Sequence, residues 1–320
     1  MEVYKQQTVP NILKKLALLL GVEVKNRRVE IPEKFGRGFC AGFVFNEQIR
    51  MLISNYELQE DIIVENPDMD ASKKMIFFKF QNIFPGTEIA SIRKQVMEMP
   101  SVLIATSRVN TDEFISIHTN TGTINIEVDA NYLKGLFELS EKSTVLQGLL
   151  ENAQPFLFEQ LLYPSLQKIV EEIVTSKVDE AFELFFLRIK AEELICRLLM
   201  ELKKREEKHL YALNNQDIQI VYKVKAQMLK HFETVPVISE LALSANMSPT
   251  KLKRIFKQIF GNSIFSYYQE CRMKEAARLL KEERLSVSEV GYQLGFTNLS
   301  HFSKVFKEHI GMKPKQYSRT

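Results

Sequence analysis

Two hydrophobic periodicities divide this chain. Between about residues 27 and 128, apolar side chains come in short runs or alternate with polar ones, at 29–31, 39–45, 62–65, 75–82, 102–109, 114–118 and 123–128. Runs of this kind, rich in β-branched and aromatic residues, predict strands. Asn66-Pro67-Asp68, Phe84-Pro85-Gly86 and Asn120-Thr121-Gly122 are the predicted turns between them. Short strands so closely spaced favour a small barrel or sandwich, led into by a short helix over 12–20. After about residue 131 the period becomes helical, and the spacing predicts helices over 131–139, 144–151, 155–176 and 179–210. In the last of these, Phe182, Phe185, Phe186 and Ile189, then Ile195, Leu198, Leu199 and Leu202, fall at helical spacing. Such a stripe suits packing against the preceding helix and the barrel, and equally suits an interface with a second copy of the chain. The charged run 203–208 is the expected solvated end of that helix, and 210–217, with Asn214-Asn215, the expected linker.

Beyond the linker the chain nearly repeats itself. Ile238-Ser239-Glu240-Leu241 recurs 49 residues later as Val287-Ser288-Glu289-Val290. Ile255-Phe256-Lys257, Gly261 and Tyr267 recur 50 residues later as Val305-Phe306-Lys307, Gly311 and Tyr317, so one residue is inserted between the two blocks. Two copies of one supersecondary unit are expected. Each reads as a short helix (239–245 and 288–294), a tight turn at Asn246 or Gly295, and a second helix ending at Gly261 or Gly311. Asn and Gly are residue types that accept positive φ. Ser248-Pro249 is a strong start signal for the second helix of the first copy; the corresponding helix of the second copy starts near Thr297 or Asn298. Four residues before each turn stands a small residue, Ala242 or Gly291, where steeply crossing helices must approach closely. This is the helix-turn-helix pattern, and its duplication strengthens it.

Charge then separates the halves. The 320 residues carry 43 Lys and Arg against 40 Asp and Glu, a nearly neutral total. Residues 231–320, however, hold 14 basic against 8 acidic residues, leaving 29 against 32 for the rest. A basic module on an acidic body suits a polyanion-binding end. The second helices concentrate that charge: Thr250, Lys251, Lys253, Arg254 and Lys257 on one, Ser300, His301, Ser303, Lys304 and Lys307 on the other, with Glu308 the only acid. An all-helical bundle would explain Leu252, Ile255, Phe256, Phe302, Val305 and Phe306 as core, but not these outward surfaces. Three distant cysteines (Cys40, Cys196, Cys271) indicate neither a disulfide framework nor a zinc cluster, and each is expected reduced and buried. The apolar stretch 16–20 is too short to cross a bilayer and no leader pattern precedes it, so a cytoplasmic location is expected. No nucleophile–base pair, phosphate loop or metal-ligand spacing appears, and no enzyme activity or cofactor is expected.

Residues 218–319 resemble the DNA-binding domain of the AraC/XylS family of bacterial transcription regulators. The matching pieces are Met247-Ser248-Pro249 with Leu252, Phe256 and Gly261, then Arg272, Ala276 and Leu279-Leu280, then Gly295-Phe296. Phe302-Ser303-Lys304-Val305-Phe306-Lys307 and Gly311-Met312-Lys313-Pro314 with Tyr317 and Arg319 close the match, with Ser318 as one extra residue. The resemblance implies an α+β protein: a small β-barrel or cupin-like domain with helices, followed by an all-α domain with two helix-turn-helix units joined by a rigid helix over 263–282. It implies a regulatory domain over 1–130, a helical coupling or dimerisation region over 131–210 and a DNA-binding domain over 211–320. Matched position by position, Thr250, Lys253, Arg254, Ser300, His301 and Lys304 would reach base edges. Lys251, Lys257, Lys307 and Lys313 would contact phosphate. His301 also suits packing. Double-stranded DNA is the implied partner, with RNA polymerase, a small-molecule effector and a homodimer through the helices of 155–205 as further ones.

The strand-rich half more distantly resembles that of siderophore-responsive members. His118 is the only histidine before His209, so a metal-binding cupin site is not expected. An effector pocket would be apolar and aromatic, with Phe39, Phe43, Phe45, Phe78 and Phe80 as candidates that serve equally well as barrel core. The alternative function is a ligand-independent dimeric or architectural DNA-binding protein whose N-terminal half only dimerises.

Overall fold

The computed structural model describes residues 8–59, 74–83, 99–106, 120–136, 143–205, 210–211 and 213–319. The strands expected at 62–65 and 114–118, the turns at 66–68 and 84–86, and His118 lie outside them. The chain divides into two compact units, Met1–Arg93 with Glu98–Asn215, and Gln216–Thr320.

In the first unit, α1 (Asn11–Leu20) leads into strands β1 (Arg28–Glu30), β2 (Gly36–Val44), β3 (Ile49–Leu58), β4 (Met75–Gln81), β5 (Ser101–Thr106), β6 (Asn120–Asp129) and, after two helices, β7 (Leu157–Leu161). They form one antiparallel sheet of order β1-β2-β3-β6-β4-β5-β7. Its edges β1 and β7 do not pair with each other, so among the described residues the sheet is open and not a closed barrel. Alternation gives it two buried faces. Phe43, Met51, Phe78, Phe80, Ile104, Ile126 and Phe158 face one way, against α3 (Thr144–Glu151), α4 (Pro164–Thr175) and α5 (Glu180–Lys203). A seven-residue helix, α2 (Ala130–Leu136), contributes Leu133 to the same core. Cys40 and Leu58 face the other way, onto Leu13, Leu16 and Leu20 of α1. Burial pushes the Cys40 thiol up to about 11, against the hydrogen bond it shares with Ser54 at 3.3 Å.

Four expectations need correction. The segment 155–176 is not one helix: Leu157–Leu161 is an edge strand on β5, and α4 begins at Pro164. Tyr163 before that proline is extended, as sterics with the ring require, and Pro164 then occupies the first turn, where a missing N–H costs nothing. Asn120-Thr121-Gly122 is no turn but the start of β6. β3 and α6 (Asn215–Leu229) form where no element is expected, and α6 takes up the end of the expected linker. Cys196 is exposed, whereas Cys40 and Cys271 are buried; all three are free thiols.

The stripe on α5 splits in two. Ile195, Leu198, Leu199 and Leu202 are buried, together with Leu187, Ala191 and Leu194. Phe182, Phe185 and Ile189 are exposed, as is Met200. At 100° per residue these four lie on the opposite side of the helix from the buried set.

The second unit is helical: α6, α7 (Ile238–Ser244), α8 (Pro249–Phe260), α9 (Ile264–Lys281), α10 (Val287–Gln293), α11 (Leu299–Ile310) and α12 (Pro314–Tyr317). α9 runs between the two copies and is capped by Ser263, whose hydroxyl accepts from the Ser266 N–H.

Candidate nucleic-acid interface

Each copy is built on the same backbone frame. In the first, the Asn246 N–H donates to Leu243 O (3.0 Å) and the Met247 N–H to Ala242 O (3.0 Å). In the second, the Gly295 N–H donates to Tyr292 O (2.8 Å) and the Phe296 N–H to Gly291 O (2.9 Å). These are the paired bonds of a Schellman ending, which needs a left-handed residue at its hinge. Asn246 (φ 49°) and Gly295 (φ 75°) supply it. The small residues permit the close crossing: a Cβ at Gly291 would stand 2.6 Å from Leu299 Cδ2 and 3.4 Å from Phe302 Cδ1.

The frames differ at the next step. Ser248 follows Asn246 by two positions, caps the Lys251 N–H and starts α8. Asn298 follows Gly295 by three, and its side chain accepts from both Ser300 and His301 N–H groups to start α11. The inserted residue of the repeat therefore lies between the second turn and its cap, at Phe296-Thr297. Beyond it the copies realign. Gly261 (φ 73°) and Gly311 (φ 87°) end the two helices. Tyr267 then stands 5.6 Å from the Phe256 ring, and Tyr317 5.6 Å from Phe306, both edge-on. Such aromatic pairs contribute about 0.5–1.5 kcal/mol each beyond their buried area. The recurrence of Phe and Tyr fifty residues apart is thus the recurrence of one aromatic core.

With Leu252, Ile255, Phe256, Phe302, Val305 and Phe306 buried, the outward sides of α8 and α11 are fixed. Thr250, Lys253, Arg254 and Lys257 are exposed on α8; Ser300, His301, Lys304 and Lys307 are exposed on α11, and Lys313 at the cap of α12. His301 is exposed and yet within 5.8 Å of the Phe296 ring, so it meets both the solvent and the core. Lys251 stands apart from the others. It is half-buried, and its Nζ lies 2.8 Å from Asp217 Oδ1 on α6. No local spacing links residues so far apart, so sequence reasoning missed this pair.

Arg272, part of the family match without a stated role, is buried on α9. Its Nε donates to Leu294 O at 2.9 Å, in the turn of the second copy, and its guanidinium stacks 3.9 Å from the Phe296 ring centre. Burial lowers its pKa, and the carbonyl and ring supply the compensation.

The five phenylalanines of the expected pocket divide by burial. Phe43, Phe78 and Phe80 sit inside the sheet's main core, and Phe39 and Phe45 are partly buried at its margin. Among the described residues no cluster of His, Cys, Asp or Glu has the makings of a metal site. No helix there is long and apolar enough to cross a membrane.

A family profile described as "Helix-turn-helix domain" matches residues 241–320. The HTH-type transcriptional regulator GbdR of Pseudomonas aeruginosa is 32% identical over 108 residues, which are 34% of this chain and 29% of GbdR. The arabinose operon regulatory protein of Escherichia coli is 32% identical over 80 residues, 25% of this chain and 27% of the relative. Similarity to the HTH-type transcriptional regulator MtrA of Neisseria gonorrhoeae extends further, 27% identity over 199 residues, 60% of this chain and 64% of MtrA. The chain thus spans less than a third of the first two relatives' length. Residues 241–320 are an AraC-type helix-turn-helix domain, of the kind carried by DNA-binding transcription regulators.

Proposed function

We propose that this protein is a sequence-specific transcription regulator that binds double-stranded DNA through α8 and α11, placed in successive major grooves about 34 Å apart. The observation that carries this reading is the exposed, basic and hydrogen-bonding surface of both helices on one repeated frame. Thr250, Lys253 and Arg254 on α8, and Ser300, His301 and Lys304 on α11, reach base edges. Arg254 is the strongest base reader, because a guanidinium pairs bidentately with guanine. Lys257, Lys307 and Lys313 neutralise phosphate, adding affinity and salt dependence without sequence information. Lys251 joins them only by leaving Asp217. A regulator of this kind works in the cytoplasm and meets RNA polymerase at the promoter.

The first unit supplies control. Residues 1–130 form the regulatory part, its cupin-like character confined to six strands of the antiparallel sheet, and residues 131–210, which add β7, couple it to the DNA-binding part. A small-molecule effector would enter at the margin of the core, beside Phe39 and Phe45. Phe43, Phe78 and Phe80 stiffen the wall behind them.

A homodimer through α5 is supported by its exposed apolar face at Phe182, Phe185, Ile189 and Met200. The helix opens with Asp179, Glu180 and Glu183 and closes with Lys203, Lys204 and Arg205, so antiparallel pairing sets acid against base. The same face supports a second reading, in which the first unit only dimerises and no effector exists. Ligand screening by melting temperature separates the two: a molecule that stabilises the protein and shifts its DNA affinity supports the sensor.

Sequencing the DNA fragments that the protein retains in cells tests the central claim. A common sequence in those fragments is the expected result. Recovery of random DNA would overturn sequence-specific regulation.

A further inference from the structure

The two reading heads are joined by more than the helix between them. The segment 231–237, which connects α6 to α7 and so enters the first copy, has no regular structure of its own. Its course is fixed instead by the second copy and by α9. Phe232 packs on the hydrophobic core of the second copy. The hydroxyl of Tyr268, on α9, lies 2.8 Å from Phe232 O and 3.0 Å from Thr234 O and donates to this pair of carbonyls. Tyr268 is fully buried, and its ring stands 6.0 Å from that of Phe232. One helical turn along, Arg272 holds Leu294 O in the turn of the second copy. That turn meets the strap directly. A Cβ at Gly295 would fall 2.2 Å from Glu233 O and 2.8 Å from Glu233 C, so only glycine allows this approach of two backbones.

We infer that this strap is a positioning device. Tyr268 and Gly295 hold the entry to the first helix-turn-helix against the turn of the second, and thereby set the separation and angle of α8 and α11. α9 carries the first copy on its N-terminal part, at Tyr267, and the second on Met273, Ala276, Ala277 and Leu280. The contacts at Phe232–Thr234 add a second bridge between the copies. A protein with two heads locked in this way accepts one spacing between the two halves of its site. A one-base-pair change moves a half-site by about 3.4 Å along the duplex and turns it by about a tenth of a turn, and the locked heads cannot follow. Tyr268 is fully buried and Gly295, though exposed, has no side chain to offer a base, so both act on specificity through geometry. The inference rests on the DNA-reading proposal above.

The test uses the full chain and a DNA site selected by it from a random pool. Affinity is measured for that site and for versions lengthened or shortened by one base pair between its halves. Wild type is expected to show a steep penalty for either change. Tyr268→Phe keeps the ring packing and deletes only the hydroxyl clamp. It is expected to shrink the spacing penalty by up to about tenfold, the equivalent of one net hydrogen bond, while base preference within each half stays the same. Gly295→Ala is expected to shrink it further, by driving Glu233 away. A folded Tyr268→Phe protein that keeps the wild-type spacing penalty, with or without lower overall affinity, overturns the inference whatever Gly295→Ala does. Failure of wild type to select any site would overturn the DNA-reading proposal itself, a distinguishable result.

Discussion

Lys251 and Asp217 form an ion pair, Nζ to Oδ1 at 2.8 Å, that ties the first turn of α8 to the first turn of α6. The carboxylate is the more enclosed partner, its side chain 14% exposed against 41% for the lysine. A cation at the edge of the candidate interface is thus held by a protein anion. Asp217→Asn is expected to release Lys251 for phosphate, raising affinity at low salt and steepening the log–log salt dependence by about 0.9. An unchanged slope in binding titrations across salt concentrations would show that Lys251 stays clear of the backbone.

Arg254→Ala is expected to cost about 1–3 kcal/mol on the selected site, and far less on random DNA, because a base contact is lost. Lys307→Ala should weaken both DNAs alike and lower the salt slope. Competition binding with the two DNAs distinguishes them: equal loss for Arg254→Ala would reassign it to phosphate.

Phe78→Ala removes a fully buried ring from the sheet's main core. The expected cost is about 3–5 kcal/mol of unfolding free energy, read by urea denaturation. A variant of wild-type stability that has lost an effector response would place Phe78 in a pocket wall instead.

Phe185→Glu puts a charge in the middle of the exposed α5 face. Wild type is expected to sediment as a dimer, and the variant as a monomer at the same concentration. Two species of equal size would remove α5 from any interface.

Legibility in the sequence followed the range of the interactions. The two helix-turn-helix units were readable nearly to the residue because caps, left-handed hinges and close crossings are local. Ser248, Asn246, Gly295, Gly291 and Gly311 each state their conformation within a few positions. The sheet was harder. β3 carries Arg50, Ser54, Asn55 and Glu57 through a strand buried between β2 and β6, and those side chains hide its alternation. β7 reads as helix in the sequence because Leu157, Phe158, Leu161 and Leu162 have spacing that suits either period in so short a run. Only Tyr163-Pro164 marks where the strand stops, and it does so by sterics. The long-range contacts behind the candidate interface, Asp217 with Lys251 and Tyr268 with Thr234, join residues 34 positions apart in each case. No periodicity encodes such pairs.

The extra residue at Phe296-Thr297 bears on how this domain can be rebuilt. A segment transplanted from one copy to the other arrives in register only if the splice falls after the cap, at Pro249 and Leu299. Cut at the hinge instead, a segment brings its own hinge-to-cap connection, two residues in the first copy and three in the second, and meets a first helix fitted to the other length. Chimeras made at the two splice points should therefore differ sharply in solubility, although they differ by one residue in length.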